Sequence, residues 1–168
     1  MNTANYTHGE PIRQEETKDG KDQNTVMSNE LARIRKEYGD ANFDESMVPE
    51  SGNPIDLFKV WFDQAIEMKM FEPNAMCLAT ANAQGRPSNR YVLLKEYDQR
   101  GFVWFTNYES RKGQHIAENP FGAITFWWGP LEKSIRIEGR IEKISEKDSD
   151  EYFQVRPRNA EIGAWASN

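Results

Sequence analysis

Three short segments carry cations or phenols at spacings that suit an anion. In ESRKG, Ser110 is placed to cap a helix, which puts Arg111 and Lys112 in its first turn. Cations there oppose the helix dipole at a cost of about 0.3–1 kcal/mol each. A bound phosphate would reverse that sign and use the free backbone N–H groups as well. Two side chains turned into water fit the segment equally. Arg90 and Lys95 begin and end the otherwise apolar run RYVLLK, and at this separation they fall on opposite faces of a regular strand. They could serve two different anions, or one is simply a solvated strand end, and bland termini are the simpler reading of this run alone. Tyr152 and Arg156 share a helix face just before Pro157, where a phenol and a guanidinium could grip a phosphate by charge-assisted bonds. A surface helix ending in an Arg that its dipole favours is the simpler reading of that pair alone.

Other chemistries lack their residues. The sequence has no GxGxxG, Walker A loop, HExxH or GxSxG. Its two histidines, His8 and His115, and its one cysteine form no cluster for a structural zinc. His115 falls mid-helix and reads as a surface residue; Cys77, within MCLATA, reads as a buried apolar filler rather than a nucleophile. Any reactivity would then come from a cofactor. A net charge of −6 argues against nucleic acid as a general partner. No apolar run is long enough for a membrane helix, and the first residues lack a secretory apolar stretch. The lone cysteine fits a reducing, cytoplasmic setting.

The elements that would position these residues lie in the second part of the chain. Residues 1–53 carry 6 basic and 11 acidic side chains but only 3 of the 20 aromatics. Residues 1–27 read as a disordered acidic tail, and 28–53 as a short helix (Ser28 to Tyr38) followed by a polar linker. Residues 54–168 form the folding domain. Asn53–Pro54 starts a helix with Leu57, Val60, Trp61, Ala65 and Met68 at helical spacing. From Ala75 the period changes to two. Strands are expected at MCLATA, Asn89–Lys95, Gly101–Asn107, Phe121–Trp128 and Ser134–Ile144, with NAQG (82–85) as a hairpin turn and EYDQRG as a loop. In the last strand Ile135, Ile137 and Ile141 alternate with Arg136, Glu138, Arg140 and Glu142, which reads as an outward charge ladder rather than a binding stripe. Helices are expected at SRKGQHIAEN and from Glu146 to Arg156. The predicted class is mainly β with peripheral helices (α+β), closing into a small barrel.

Taken in order, NAMCLAT (74–80), RYVLLK (90–95), FTNYESRKG (105–113), NPF (119–121), YFQVRPR (152–158) and IGAWAS (162–167) resemble the pyridoxamine 5′-phosphate oxidase family over roughly residues 31–168. The resemblance implies a split β-barrel that binds FMN and works as a homodimer. It also implies oxidation of pyridoxamine 5′-phosphate or pyridoxine 5′-phosphate to pyridoxal 5′-phosphate, with O2 as electron acceptor. By it, Arg90, Tyr91, Val92, Leu93, Phe105, Thr106, Arg111 and Lys112 would hold FMN, with Ser134 where the family usually has a Gln. Lys95, Tyr152 and Arg156 would hold the substrate phosphate, and Arg35 and Tyr38 would cover the substrate. Ala160 and Glu161 depart from the family's Ser-Gln in RPRNAEIGA. The family's closing segment, with a flavin-contacting Trp and an Arg-x-His pair, would follow Asn168.

Overall fold

The strand and helix boundaries are set by where hydrogen-bond donors run out and where aromatic bulk must be buried. The computed structural model describes residues 33, 34, 43 and 45–154, the last four as backbone only. The tail 1–27, the helix expected at 28–38 with Arg35 and Tyr38, and Arg156, Ala160 and Glu161 lie outside the described residues. Two compact units divide at Tyr38 and Gly39, and every strand and helix named here belongs to the second.

Helix α1 (Pro54–Glu67) starts as its sequence dictates. Asn53 is the N-cap, its Oδ1 accepting the Ile55 N–H at 2.9 Å, and Pro54 occupies the first turn. Its buried stripe differs from the expected one. Phe58 and Ala65 are buried with Trp61 and Phe62 packed beside them, while Val60 and Met68 are about half exposed. Positions 58, 61, 62 and 65 form one face, and that face carries the aromatic volume, so it outcompetes the face of Val60.

The sheet is antiparallel. Strands β1 (Ala75–Ala81), β2 (Pro87–Leu93), β5 (Phe121–Trp128) and β6 (Lys133–Arg140) form four strands in the order β2-β1-β5-β6. Between β2 and β5, the expected EYDQRG loop is instead a short hairpin, β3 (Glu96–Asp98) with β4 (Gly101–Val103). Asp98 makes that hairpin tight, its Oδ1 accepting the Arg100 N–H at 2.8 Å. The third expected strand therefore stops at Val103 rather than Asn107. RYVLLK is likewise not one strand: Leu94 N–H bonds Asn74 O, whereas Lys95 N–H bonds Val103 O, so the chain changes sheets there. In the last strand regular pairing ends at Arg140 opposite Phe121, because Pro120 has no N–H to extend the ladder. The outward charge ladder is present, with Arg136–Glu138 at 2.9 Å and Arg140–Glu142 at 3.1 Å, all well exposed. The described residues form two antiparallel sheets with few helices; they do not close into a barrel, and β2 and β6 remain edges.

The core lies on the face of the four-stranded sheet that carries Met76, Leu78, Ile124, Phe126 and Trp128. Phe58 is its hub, with ring centroids 4.8 Å from Tyr97, 4.9 Å from Phe102 and 5.2 Å from Phe126. Helix α1 and the β3–β4 hairpin thus cover one part of that face. Two further helices are α2 (Arg111–Glu118) and α3 (Glu146–Gln154). No helix among the described residues is long and apolar enough to cross a membrane.

Candidate anion site

Beyond the core, the same sheet face turns polar. The NAQG turn joins β1 and β2: Asn82 Oδ1 accepts from Gln84 and Arg86 N–H at 3.1 and 2.9 Å, and Gly85 supplies the positive φ of 74°. This register sets Arg90 opposite Leu78, facing inward. Arg90 is held by acceptors of its own sheet. Its Nη1 donates to Leu78 O at 3.1 Å and to Thr80 Oγ1 at 2.9 Å, and its Nη2 donates to Ser88 Oγ. A guanidinium has five N–H donors, so Nε–H and one N–H of Nη2 keep no acceptor among the described residues.

Helix α2 brings the other cations. Ser110 is its N-cap, as its position predicts, its Oγ accepting the Gly113 N–H at 3.4 Å and donating to Asn107 O at 2.6 Å. Arg111 and Lys112 therefore stand in the first turn, which contains no acid, and their N–H groups have no intrahelical acceptor. Gly113 is required here, since a Cβ would come within 2.2 Å of the Tyr108 carbonyl oxygen. The three cations feel one another. Burial, and then Arg111, lowers the pKa of Arg90; burial, and then Arg90, lowers that of Lys112. None of the three forms an ion pair with a carboxylate among the described residues. Such a cluster raises the local potential and favours an anion.

The loop before α2 adds a second feature. A cavity of about 300 Å³ is lined by Phe102–Thr106 and by residues of α2 and the segment 141–144, and Thr106 Oγ1 is buried with no hydrogen-bond partner among the described residues. A buried hydroxyl without a partner costs about 1–3 kcal/mol, so it signals a missing acceptor or donor.

Other expected site residues lie elsewhere. Val92 packs against the core. Tyr91 and Ser134 are exposed on the opposite sheet face, on strands separated by β1 and β5, so this chain does not bring them to the cations. Leu93 ends β2 on that same face, and Lys95 is exposed beyond the point where the chain changes sheets. Tyr152 lies in α3, described as backbone only.

His115 corrects its sequence reading: it is buried, 6% exposed, with Nδ1 3.3 Å from Thr80 Oγ1, because α2 packs this face onto β1. Cys77 is half-buried, on the sheet face away from the core. Sequence reasoning also missed Thr80 and Ser88. The signal was parity: Thr80 continues the inward positions of Met76 and Leu78, so a hydroxyl was due in the interior.

Residues 62–168 match the family model described as pyridoxamine 5′-phosphate oxidase. A pyridoxine/pyridoxamine 5′-phosphate oxidase of Trichormus variabilis is 52% identical over 142 residues, covering 84% of this chain and 65% of that protein. This chain thus spans about 65% of the length of such curated relatives. Among solved structures, PhzG of Burkholderia lata in complex with tetrahydrophenazine-1-carboxylic acid has a TM-score of 0.71 at 31% identity, over 77% of this chain and 63% of that one. A pyridoxamine 5′-phosphate oxidase-related, FMN binding protein of Nostoc punctiforme shares the fold, with a TM-score of 0.54 at 18% identity over 63% and 61% of the two chains.

Proposed function

Because this chain belongs to the pyridoxamine 5′-phosphate oxidase family, we propose that it binds FMN and serves the oxidation of pyridoxamine 5′-phosphate or pyridoxine 5′-phosphate to pyridoxal 5′-phosphate, with O2 as acceptor. The observation that carries this reading is that Arg90, linked through Thr80 to His115 of α2, stands with Arg111 and Lys112 of that helix, none of the three ion-paired with a carboxylate among the described residues. The residues present fit a phosphorylated flavin. Two spare N–H donors of Arg90 and the first-turn N–H groups of α2 match phosphate oxygens. The unpartnered Thr106 hydroxyl offers a further polar contact beside them in sequence.

FMN, when bound, supplies the hydride acceptor and its reoxidation by O2 to hydrogen peroxide. The protein's residues hold and orient. Arg90, Arg111 and Lys112 neutralise the flavin phosphate, with Phe105 and Thr106 alongside, while Tyr91, Val92, Leu93 and Ser134 are assigned to the flavin by the resemblance alone. By the same resemblance, Lys95, Tyr152 and Arg156 hold the phosphate of the substrate. Two clamped phosphates fix donor and acceptor atoms face to face, which removes orientational freedom before the reaction.

The reading includes a split barrel completed as a homodimer in the cytoplasm. Tyr91, Phe121 and Trp127 are 78%, 57% and 58% exposed on the sheet face away from the core, and a second copy would cover them.

An anaerobic absorbance experiment tests the function. The 168-residue chain is loaded with FMN and desalted, and pyridoxine 5′-phosphate is added. A retained flavin band that bleaches is expected. A band that stays unbleached would reduce the chain to a binding protein for FMN or pyridoxal 5′-phosphate, a reading that Ala160 and Glu161 favour. Flavin lost on desalting would overturn the proposal for this chain.

A further inference from the structure

Two polar residues, Thr80 and His115, are buried at 3% and 6% exposure, and neither has a part in the function just proposed. They form one chain of contacts that ends on Arg90. Thr80 Oγ1 accepts from Arg90 Nη1 at 2.9 Å and lies 3.3 Å from His115 Nδ1. A hydroxyl has two lone pairs and a single proton. With one lone pair taken by Arg90, the arrangement that satisfies the group has Thr80 O–H donating to His115 Nδ1. The ring then keeps its proton on Nε2. Oriented this way, the Thr80 lone pair faces the guanidinium, and with Leu78 O and Ser88 Oγ it fixes the plane of Arg90 from three sides. His115 belongs to α2, the helix whose first turn carries Arg111 and Lys112. The same contact therefore ties the strand-borne cation to the helix-borne pair.

We propose that Thr80 and His115 are positioning residues that hold Arg90 against the FMN phosphate, and that they set the preference of the site for FMN over riboflavin. This rests on the reading of Arg90 as a phosphate ligand. A guanidinium that swings freely still attracts an anion, but it no longer presents both spare N–H groups at a fixed place. The loss therefore falls on the phosphate and not on the isoalloxazine ring.

The test is titration of the ligand-free 168-residue chain with FMN and with riboflavin, read by quenching of flavin fluorescence. Thr80→Val keeps the shape of the side chain and removes the hydroxyl. It is expected to weaken FMN about tenfold while leaving riboflavin within about twofold. Thr80→Ser restores the hydroxyl and should return most of the FMN affinity. His115→Leu should act like Thr80→Val, and His115→Asn, which keeps an acceptor near the Nδ1 position, should recover part of the loss. Equal weakening of FMN and riboflavin by Thr80→Val would show a merely structural role and overturn the proposal. If Arg90→Ala abolishes the preference for FMN but Thr80→Val and His115→Leu keep it, the positioning role fails while the function stands. If the unaltered chain shows no preference, or Arg90→Ala leaves it intact, Arg90 is not the phosphate ligand and both readings fall.

Discussion

Two ends of a single sheet face do opposite work. At one end Met76 and Leu78 of β1 point into a cluster around Phe58, Phe126 and Trp128, where polar atoms find internal partners. There the Trp128 Nε1 donates to Pro73 O at 2.9 Å, and Lys133 Nζ to Gln64 Oε1 at 2.6 Å. At the other end Thr80, one step further along the same parity, opens a region of cations and spare donors around Arg90. The apolar end is complete in itself, whereas the polar end keeps donors that no described residue satisfies. The difference teaches where stability and binding reside: the first end should answer to substitution in folding, the second in affinity.

The largest effect should come from the core. Phe58→Ala removes the hub of five ring contacts and should cost about 3–5 kcal/mol of unfolding free energy in urea. Its flavin affinity per folded molecule should stay near that of the unaltered chain, and a large loss there would break the division. Next, Arg111→Ala with Lys112→Ala should weaken FMN binding by roughly a hundredfold. Ligand-free stability should hold or rise slightly, since like charges are removed. Equal loss of fold and flavin would make these two cations structural.

A smaller effect is graded by pH. Burial and Arg90 depress Lys112 below its ordinary 10.5 in the ligand-free protein, and a bound phosphate favours the ammonium form. Between the depressed value and 10.5, FMN binding must take up a proton, so affinity should fall as pH rises, by at most about tenfold per unit. In the same window the ligand-free chain should gain stability with pH, because the unfolded Lys binds more protons than the folded one. Lys112→Met should flatten the Lys112 contribution to both profiles; an unchanged alkaline profile would remove Lys112 from the site. The smallest effect belongs to neither end. Glu138→Gln breaks the exposed pair with Arg136 and should shift stability by less than about 0.5 kcal/mol in the same denaturation assay.

Much of the local structure was readable because its causes are local. The Asn53–Pro54 start, the Asn82–Gly85 turn and the Ser110 cap each depend on residues within four positions, and each appears as expected. The pairing partners of the strands were less legible. A polar stretch such as EYDQRG reads as a loop, yet Tyr97 and Phe102 gain a core contact with Phe58, and that packing makes it a hairpin. The burial of His115 was hidden for the same reason, since nothing in RKGQHIAE says which face meets β1.

The sequence by itself determined that Arg111 and Lys112 stand in the first turn of a helix, since a cap and the residues after it are fixed by backbone geometry alone. It also carried, through its ordered motifs, membership of its family. Only the tertiary structure decided that Arg90 reaches those cations and that Thr80 and His115, 35 positions apart, meet beneath it. Strand order and helix docking are settled by burying the aromatic face, a free energy summed over many distant residues. No short segment contains that sum.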